Sequence, residues 1–468
     1  MFILNNQETI IAPITSCEGA ISLVRLSGSN AIAIVDEILL SKKALKNKES
    51  HTITLGIIKR DDDSIIDEVL VSLFKNPHSY TGEDVVEISC HGSKYIQSEI
   101  LQLALKKGAV LAQPGEFTFR AFMNGKLDLT QAEAVADIIA SESKATHEIA
   151  MNQMRGGVTN EIQKLRKEFI NFAALIELEL DFSEEDVEFA DRAKFGALLN
   201  EIKSLMLKMI ASFEYGNVIK KGVPVAIAGK PNAGKSSLLN ALLNDDKAIV
   251  SDIAGTTRDS IEDTLNHNGI IFRFIDTAGL RDTTDTIEAI GVQRTKNKIN
   301  EAKILLYLFD ENDTTSADII NDVKSFYRED LITILVQNKI DLQGGFLQSK
   351  LKEEVEDALF GQYTSTIVGI STQQPDTIKS LLGQLSCEIE ALATNTDVVI
   401  TNTRHLQALK NTTDCIDSIQ NNIKIGISGD LLSIDIRQAL RYLGEITGEI
   451  DMDTDILGAI FSTFCIGK

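Results

Sequence analysis

The stretch Gly229-Lys230-Pro231-Asn232-Ala233-Gly234-Lys235-Ser236-Ser237 follows the apolar run Val223 to Ala228 and precedes Leu238-Leu239-Asn240-Ala241-Leu242-Leu243. This order reads as strand, loop and helix, and the spacing G-x-x-x-x-G-K-[ST] is that of a phosphate-binding loop. Glycines let consecutive backbone N–H groups turn inward on phosphate oxygens, and the helix N-terminus adds partial positive charge. In that frame the loop from Asn232 through Ala233 and Gly234 to Ser237 wraps the phosphates. Lys235 reaches the β- and γ-phosphates, and Ser236 ligates Mg²⁺.

The remaining parts of a nucleotide switch follow in order. Gly255-Thr256-Thr257-Arg258-Asp259 supplies hydroxyls in a glycine-started loop, and the buried-strand run Ile270 to Ile275 leads into Asp276-Thr277-Ala278-Gly279. Asn338-Lys339-Ile340-Asp341 follows the apolar strand Leu331 to Val336. A carboxylate at Asp341 accepts two hydrogen bonds from guanine N1–H and its exocyclic amine. Adenine leaves that carboxylate unsatisfied, so GTP is favoured over an unspecified nucleotide. Val368-Gly369-Ile370-Ser371-Thr372 stands where GTPases carry a further guanine-contacting loop, usually Ser-Ala, and Thr372 departs from it.

At 468 residues the chain should hold two to four domains. Its formal charge of −22 gives no long-range field to attract nucleic acid, so an RNA contact must be local or supplied by a partner. The basic run Lys42, Lys43, Lys46, Lys48 and the pair Lys220, Lys221 read as solvated surface. The five cysteines form no C-x-x-C pair, no basic-then-apolar leader opens the sequence, and no apolar run reaches membrane-spanning length. A reduced cytosol with no membrane partner is the expectation.

Residues 1–121 alternate short apolar runs with turns. Strands are expected at Thr9–Ala12, Ala20–Leu26, His51–Ile58, Val69–Phe74 and Val85–Ser89, with helices near Ala31–Leu40 and Ile96–Leu105, an α+β domain. Periodicity makes Tyr80 to Glu87 a turn feeding a strand with a solvent-facing Glu87. From Arg120 the texture turns helical. Thr130 with Glu133 three residues on reads as a capping box. A helix from Thr159 to Asp181 carries the stripe Ile162, Leu165, Phe169, Phe172, Ile176, Leu180. The same texture returns after the nucleotide-binding region, at Leu406 to Ile423 and Leu432 to Leu443. The reading is therefore an α/β P-loop G domain (217–387) inserted into an all-α helical domain (122–216 and 388–468), preceded by the α+β domain (1–121).

Many GTPases place a Gln after Asp-Thr-Ala-Gly to orient the attacking water. Here that position is Leu280, which cannot hydrogen-bond water. Something else must position it and neutralise the charge developing on the transferred phosphoryl group. Asn232, with carbonyls of the loop Ser251 to Thr256, could hold a monovalent cation; simple loop capping by Asn232 is equally open.

The phosphate loop, the Gly255-Thr-Thr-Arg-Asp loop, the run Lys126-Leu-Asp-Leu-Thr-Gln-Ala-Glu-Ala-Val-Ala-Asp and the terminal Cys465-Ile466-Gly467-Lys468 together resemble the tRNA modification GTPase family MnmE, also called TrmE. The resemblance covers the whole chain in order. It implies a homodimer whose N-terminal domain binds folate and dimerises, working with the flavoprotein MnmG on tRNA. An aminomethyl or carboxymethylaminomethyl group is then placed on C5 of the wobble uridine, with the carbon from a reduced folate and potassium activating GTP hydrolysis. Matched residue by residue, it implies a 5-formyltetrahydrofolate site at Arg25, Glu87, Lys126 and Lys468. K⁺ ligands would be Asn232, Ser251, Ile253 and Thr256, and Thr257 would join Ser236 on Mg²⁺. Glu288 would orient water in place of the missing Gln, and Cys465 would serve one-carbon chemistry. Without the resemblance, Glu288 is a solvated helix residue and Cys465 a small apolar one between Phe464 and Ile466. Two rival readings are a ribosome-assembly GTPase and a one-carbon transferase with a structural G domain. The first should carry a basic RNA-binding appendage, which is not visible; Asn232 and Glu288 argue against the second.

Overall fold

A computed structural model describes residues 8–17, 19–181, 192–244, 263–275, 299–342, 350–360, 362–363, 366–393, 398–425, 429–449 and 467. It divides into two compact units: Met1–Ala140 with Ala150–Lys203 and Gln407–Lys468, and Ser141–Ile149 with Ser204–Leu406.

The first unit opens with β1 (Ile10–Pro13), β2 (Ile21–Ser27), α1 (Ala31–Ile38), β3 (Leu39–Leu40), β4 (Thr52–Lys59), β5 (Ile65–Phe74), β6 (Val85–His91), α2 (Lys94–Lys106) and β7 (Val110–Leu111). The strands form one sheet in the order β3-β4-β5-β6-β2-β1-β7. Alternation decides which face is covered. Val24, Leu26, Val69, Val71, Leu73, Val86 and Ile88 point into a core sealed by α1 and α2. The intervening residues stay on the other face, where Ile21, Leu40, Ile53, Leu55 and Leu70 are exposed. All five expected strands and both helices are present, and β5 runs four residues further back, from Ile65.

The helical layer comprises α3 (Glu116–Met123), α4 (Leu129–Ile139), α5 (Lys144–Met154), α6 (Gly157–Asp181) and α7 (Arg192–Lys221). The box that starts α4 differs from the sequence reading. Asp128, not Thr130, is the N-cap: its carboxylate accepts from the Gln131 backbone N–H at 2.8 Å, and the Gln131 side chain accepts from the Asp128 N–H at 3.0 Å. An ionised carboxylate is the better acceptor for the orphan N–H groups of a first turn. Thr130 instead shares its hydroxyl with Asp128 and Thr159, and Glu133 is buried. Ile162, Leu165 and Phe169 of α6 are buried as the stripe required, the side chains of Phe172, Ile176 and Leu180 lie outside the described residues, and α6 packs along the last helix of the unit.

The second unit holds β8 (Val223–Gly229), α8 (Lys235–Asn244), β9 (Asp263–His267), β10 (Ile270–Phe274), β11 (Ile304–Phe309), α9 (Ser316–Phe326), β12 (Ile332–Gln337), α10 (Lys350–Leu359), β13 (Thr366–Gly369) and α11 (Pro375–Glu390). The remaining helices are α12 (Thr403–Lys424) and α13 (Gly429–Thr447), the latter being the partner of α6. The sheet order is β13-β12-β11-β8-β10-β9, parallel except for the β9–β10 hairpin. Strands buried on both faces read as unbroken apolar runs, and β11 is one: Ile304, Leu306 and Leu308 face α8 and α11, while Leu305, Tyr307 and Phe309 face α9 and α10. Each fully buried aliphatic contributes roughly 1.5–3 kcal/mol over its exposed state. β8 sits between β10 and β11, so its carboxyl end opens at the point where chain order reverses, the usual ligand crevice of such sheets.

Candidate functional site

That crevice is where the phosphate loop lies, between the end of β8 and the start of α8. Lys235 Nζ donates to the carbonyls of Gly229 and Lys230, each at 2.8 Å, which holds the ammonium over the loop; burial lowers its pKa. Gly234 has φ of +94°, and a Cβ there would lie 2.2 Å from Asn338 Nδ2. This close approach lets Asn338, which is 2% exposed, donate to the Ala233 carbonyl at 2.8 Å. The expected phosphate loop and the expected base-reading loop are thereby fastened to each other. Asn338 Oδ1 also accepts from the Lys339 N–H at 2.8 Å. Asp341 projects from a 3₁₀ turn and is exposed, its carboxylate open to a base edge. Ser371 is buried beside this turn, tied to Thr377 and Gln373, and Ile340 donates to the Ile370 carbonyl.

Two carboxylates that sequence reading passed over complete the arrangement. Asp310, at the end of β11, takes Lys339 Nζ at 2.7 Å, and it also accepts from Asn312. Burial acts to raise the Asp310 carboxyl, but Lys339 and Asn312 outweigh it and leave it below the usual range. Asp318, in the first turn of α9, takes Lys230 Nζ at 2.6 Å and closes a capping box with Thr315. The Lys230 and Thr315 hydrogen bonds hold its carboxyl down to about 2. One short segment, Asp310 to Asp318, thus braces both nucleotide-binding loops. The signal in the sequence was an acidic residue closing a buried strand, which alone does not name its partner.

Asn232 takes the left-handed conformation, φ +62°, that asparagine tolerates, and its exposed side chain makes no hydrogen bond with a described residue. Its oxygen is of the hard-donor type that suits an alkali or alkaline-earth cation. Ser236 and Ser237 open α8 as expected. Ser251, Ile253, Thr256, Thr257, Asp276, Thr277, Ala278, Gly279, Leu280, Glu288, Cys465 and Lys468 lie outside the described residues. Among the described residues no group of three or more His, Cys, Asp or Glu side chains could hold a metal ion.

In the first unit, Arg25 on β2 and Glu87 on β6 are directly opposed across the sheet. Arg25 Nε and Nη2 meet Glu87 Oε1 at 2.9 and 2.8 Å, both side chains being less than one-fifth exposed. Glu87 therefore does not face solvent as periodicity suggested; it faces a guanidinium. Tyr80 and Phe117 lie 5.3 and 5.5 Å from the Arg25 guanidinium carbon, and Tyr80 is fixed by a 2.8 Å bond to Thr118. A paired cation and anion between two aromatic rings suits a flat ligand that both donates and accepts. Lys126 is exposed nearby in the chain fold and donates to the Pro77 carbonyl at 3.0 Å, on the segment that leads to Tyr80. Behind the pair, Arg120 is buried and binds Glu83 and Glu116, and Ser27 binds Thr81 and Glu83. Periodicity does not reveal this network, because Arg120 and Glu83, and Ser27 with Thr81 and Glu83, are far apart along the chain.

The family model described as "MnmE helical domain" matches residues 129–465, and "GTP-binding protein TrmE N-terminus" matches residues 9–126. Among curated proteins, the tRNA modification GTPase MnmE of Cytophaga hutchinsonii is 50% identical over 472 residues, covering 100% of this chain and 99% of that one. The protein of the same name from Bacteroides thetaiotaomicron is 49% identical over 472 residues, and that from Flavobacterium johnsoniae 48% over 471; each alignment covers 99% of this chain and 100% of the other.

Proposed function

Since the chain belongs to the tRNA modification GTPase MnmE family, we propose that it hydrolyses GTP in the service of tRNA modification. The observation that carries this reading is the bond between Asn338 and the Ala233 carbonyl, which makes a guanine-reading turn and a phosphate-binding loop one rigid piece. Lys235 is held where a nucleotide's phosphates would draw it from the Gly229 and Lys230 carbonyls. Asp341 offers its carboxylate to the guanine edge, with Lys339 steadied by Asp310.

In finer detail, the reaction adds an aminomethyl or carboxymethylaminomethyl group to C5 of the wobble uridine, together with the flavoprotein MnmG. Ser236, with Thr257, would hold Mg²⁺, which supplies charge neutralisation on the phosphates. Asn232, with Ser251, Ile253 and Thr256, would hold K⁺, and the Asn232 side chain, which bonds no described residue, supports that assignment. Glu288 would take the water-orienting part that Leu280 cannot play. A reduced folate such as 5-formyltetrahydrofolate would supply the one-carbon unit. Arg25, Glu87 and the flanking Tyr80 and Phe117 suit its flat, hydrogen-bonding ring, while Lys126 and Lys468 suit its acidic tail. Cys465 would sit at the reacting end.

A homodimer through the α+β domain is supported by the open sheet face, where Ile53 and Leu55 are 69% and 61% exposed beside Leu70. The domain limits 1–121, 122–216, 217–387 and 388–468 belong to the same proposal. A cytoplasmic location is supported by the free thiols of Cys17, Cys90, Cys387 and Cys415. No helix among the described residues is long and apolar enough to cross a membrane. The test is mass spectrometry of tRNA wobble nucleosides from cells lacking the chain. Loss of the C5 substituent is expected; fully modified uridines would overturn the proposal and favour a ribosome-assembly switch.

A further inference from the structure

In a chain of formal charge −22, the turn after β3 carries Lys42, Lys43, Lys46 and Lys48. None of them, nor the adjoining Lys75, has a carboxylate in ion-pair contact among the described residues, whereas Lys59, Lys107, Lys164 and Lys203 each do. The turn is firmly built. The two oxygens of Asp36 accept from the backbone N–H groups of Leu45 and Lys46 at 2.6 and 3.1 Å, so this nearby carboxylate is spent on the main chain. Leu45 is fully buried beneath the turn. Lys75 Nζ donates to the Lys46 carbonyl at 3.2 Å and Lys48 Nζ to Thr54 Oγ1 at 2.7 Å. Glu37 is taken by Lys107, leaving Glu49 as the exposed acid next to the run. Lys42, Lys43 and Lys46 are exposed.

The turn is also tied, through the Lys75–Lys46 bond, to the segment that reaches the candidate one-carbon site. Lys75 begins the segment whose Pro77 carbonyl receives Lys126 and whose Tyr80 flanks Arg25. We propose that this lysine turn seats the sugar–phosphate backbone of the RNA substrate, holding it while its base is offered to the Arg25–Glu87 site. The inference rests on the tRNA reading above. Unpaired ammonium groups that neutralise phosphates release the counterions condensed on the RNA, which gives affinity without sequence preference. RNA fits better than an anionic lipid surface because Lys75, bonded to the turn, opens the segment that runs to Tyr80 beside Arg25.

The test is tRNA binding by the full-length protein carrying Lys42→Ala, Lys43→Ala and Lys46→Ala together, followed by fluorescence anisotropy across a salt series. The plot of log affinity against log salt should become shallower by about 2–3, and affinity near 0.1 M salt should fall by about tenfold or more. GTP turnover should be unchanged, and arginine at the three positions should restore binding. Unchanged affinity and slope, or no tRNA binding by the unaltered protein, overturns the proposal. Loss of binding to phosphatidylserine-containing vesicles with tRNA affinity intact also overturns it, in favour of a membrane. Cells without the native chain separate the two levels. If the triple variant fully restores wobble modification, the lysine turn is refuted and the function stands; if modification never depended on the chain, the function itself falls.

Discussion

Gly234→Ala should detach the phosphate loop from the base-reading turn. Two costs add. The backbone there has φ of +94°, and a left-handed conformation costs an L-residue about 1–2 kcal/mol. The new methyl would stand 2.2 Å from Asn338 Nδ2, so Asn338 must swing away. That breaks its 2.8 Å bonds to the Ala233 carbonyl and the Lys339 N–H in a site only 2% exposed, worth about 1–3 kcal/mol. The sum, about 2–5 kcal/mol, corresponds to GTP affinity weakened from about thirtyfold to a few thousandfold. Titration calorimetry with GTP reads this directly. Gly108→Ala is the matched control: its φ is +96°, but nothing lies within 4 Å of the added methyl. It should lower the melting temperature and leave GTP affinity alone. If Gly234→Ala binds GTP as the parent does, the fastening of the two loops is not what organises the site.

Three further outcomes are expected. Asp310→Asn replaces a charge-assisted 2.7 Å bond to Lys339 by a neutral one, so GTP affinity should fall by about 5–30-fold; equal affinity would exclude a bracing role. Because the folded Asp310 carboxyl lies below its unfolded value, its contribution to stability is present above the unfolded pKa and disappears as pH falls through the folded one. Acid melts of parent and Asp310→Asn should therefore converge at low pH. Iodoacetamide at pH 8 should label the exposed Cys387 long before Cys90, whose thiol burial pushes up to about 11; equal labelling by peptide mass spectrometry would contradict the packing of β6. GTP turnover should be much faster in potassium than in sodium buffer, and equal rates would remove the cation assigned to Asn232.

The sequence was most informative where chemistry is local. The phosphate loop, the Asn338 turn and the apolar runs of β8, β10 and β12 were legible because strand, loop and ligand contacts all follow from neighbouring residues. Local rules also erred locally. Thr130 and Glu133 satisfy the spacing of a capping box, yet Asp128 two residues earlier is charged and wins the N–H groups. The onset of helix was placed at Arg120, whereas α3 begins at Glu116, after Gly115 in a left-handed turn. Pairings across long separations were invisible to periodicity and spacing; only the family resemblance put Arg25 and Glu87 in one site. Arg25 and Glu87 meet only because β2 and β6 are neighbours in a particular register, and one residue of slip would send them to opposite faces. Lys339 and Asp310, or Lys230 and Asp318, likewise need the sheet order before they can be matched. α7 was not read from the sequence, although Leu199, Ile202, Met206 and Met209 stand at helical spacing and are buried in it.

The Arg25–Glu87 pair has one more consequence. With its two charges already cancelling, this spot exerts little pull on stray phosphate or acetate, and such ions gain nothing by prising it open. If the proposed ligand binds here, it must satisfy both partners at once, with hydrogens for the carboxylate and a lone pair for the guanidinium. At the proposed site the pair would then act as a lock with two wards: simple anions and simple amines would each turn only one.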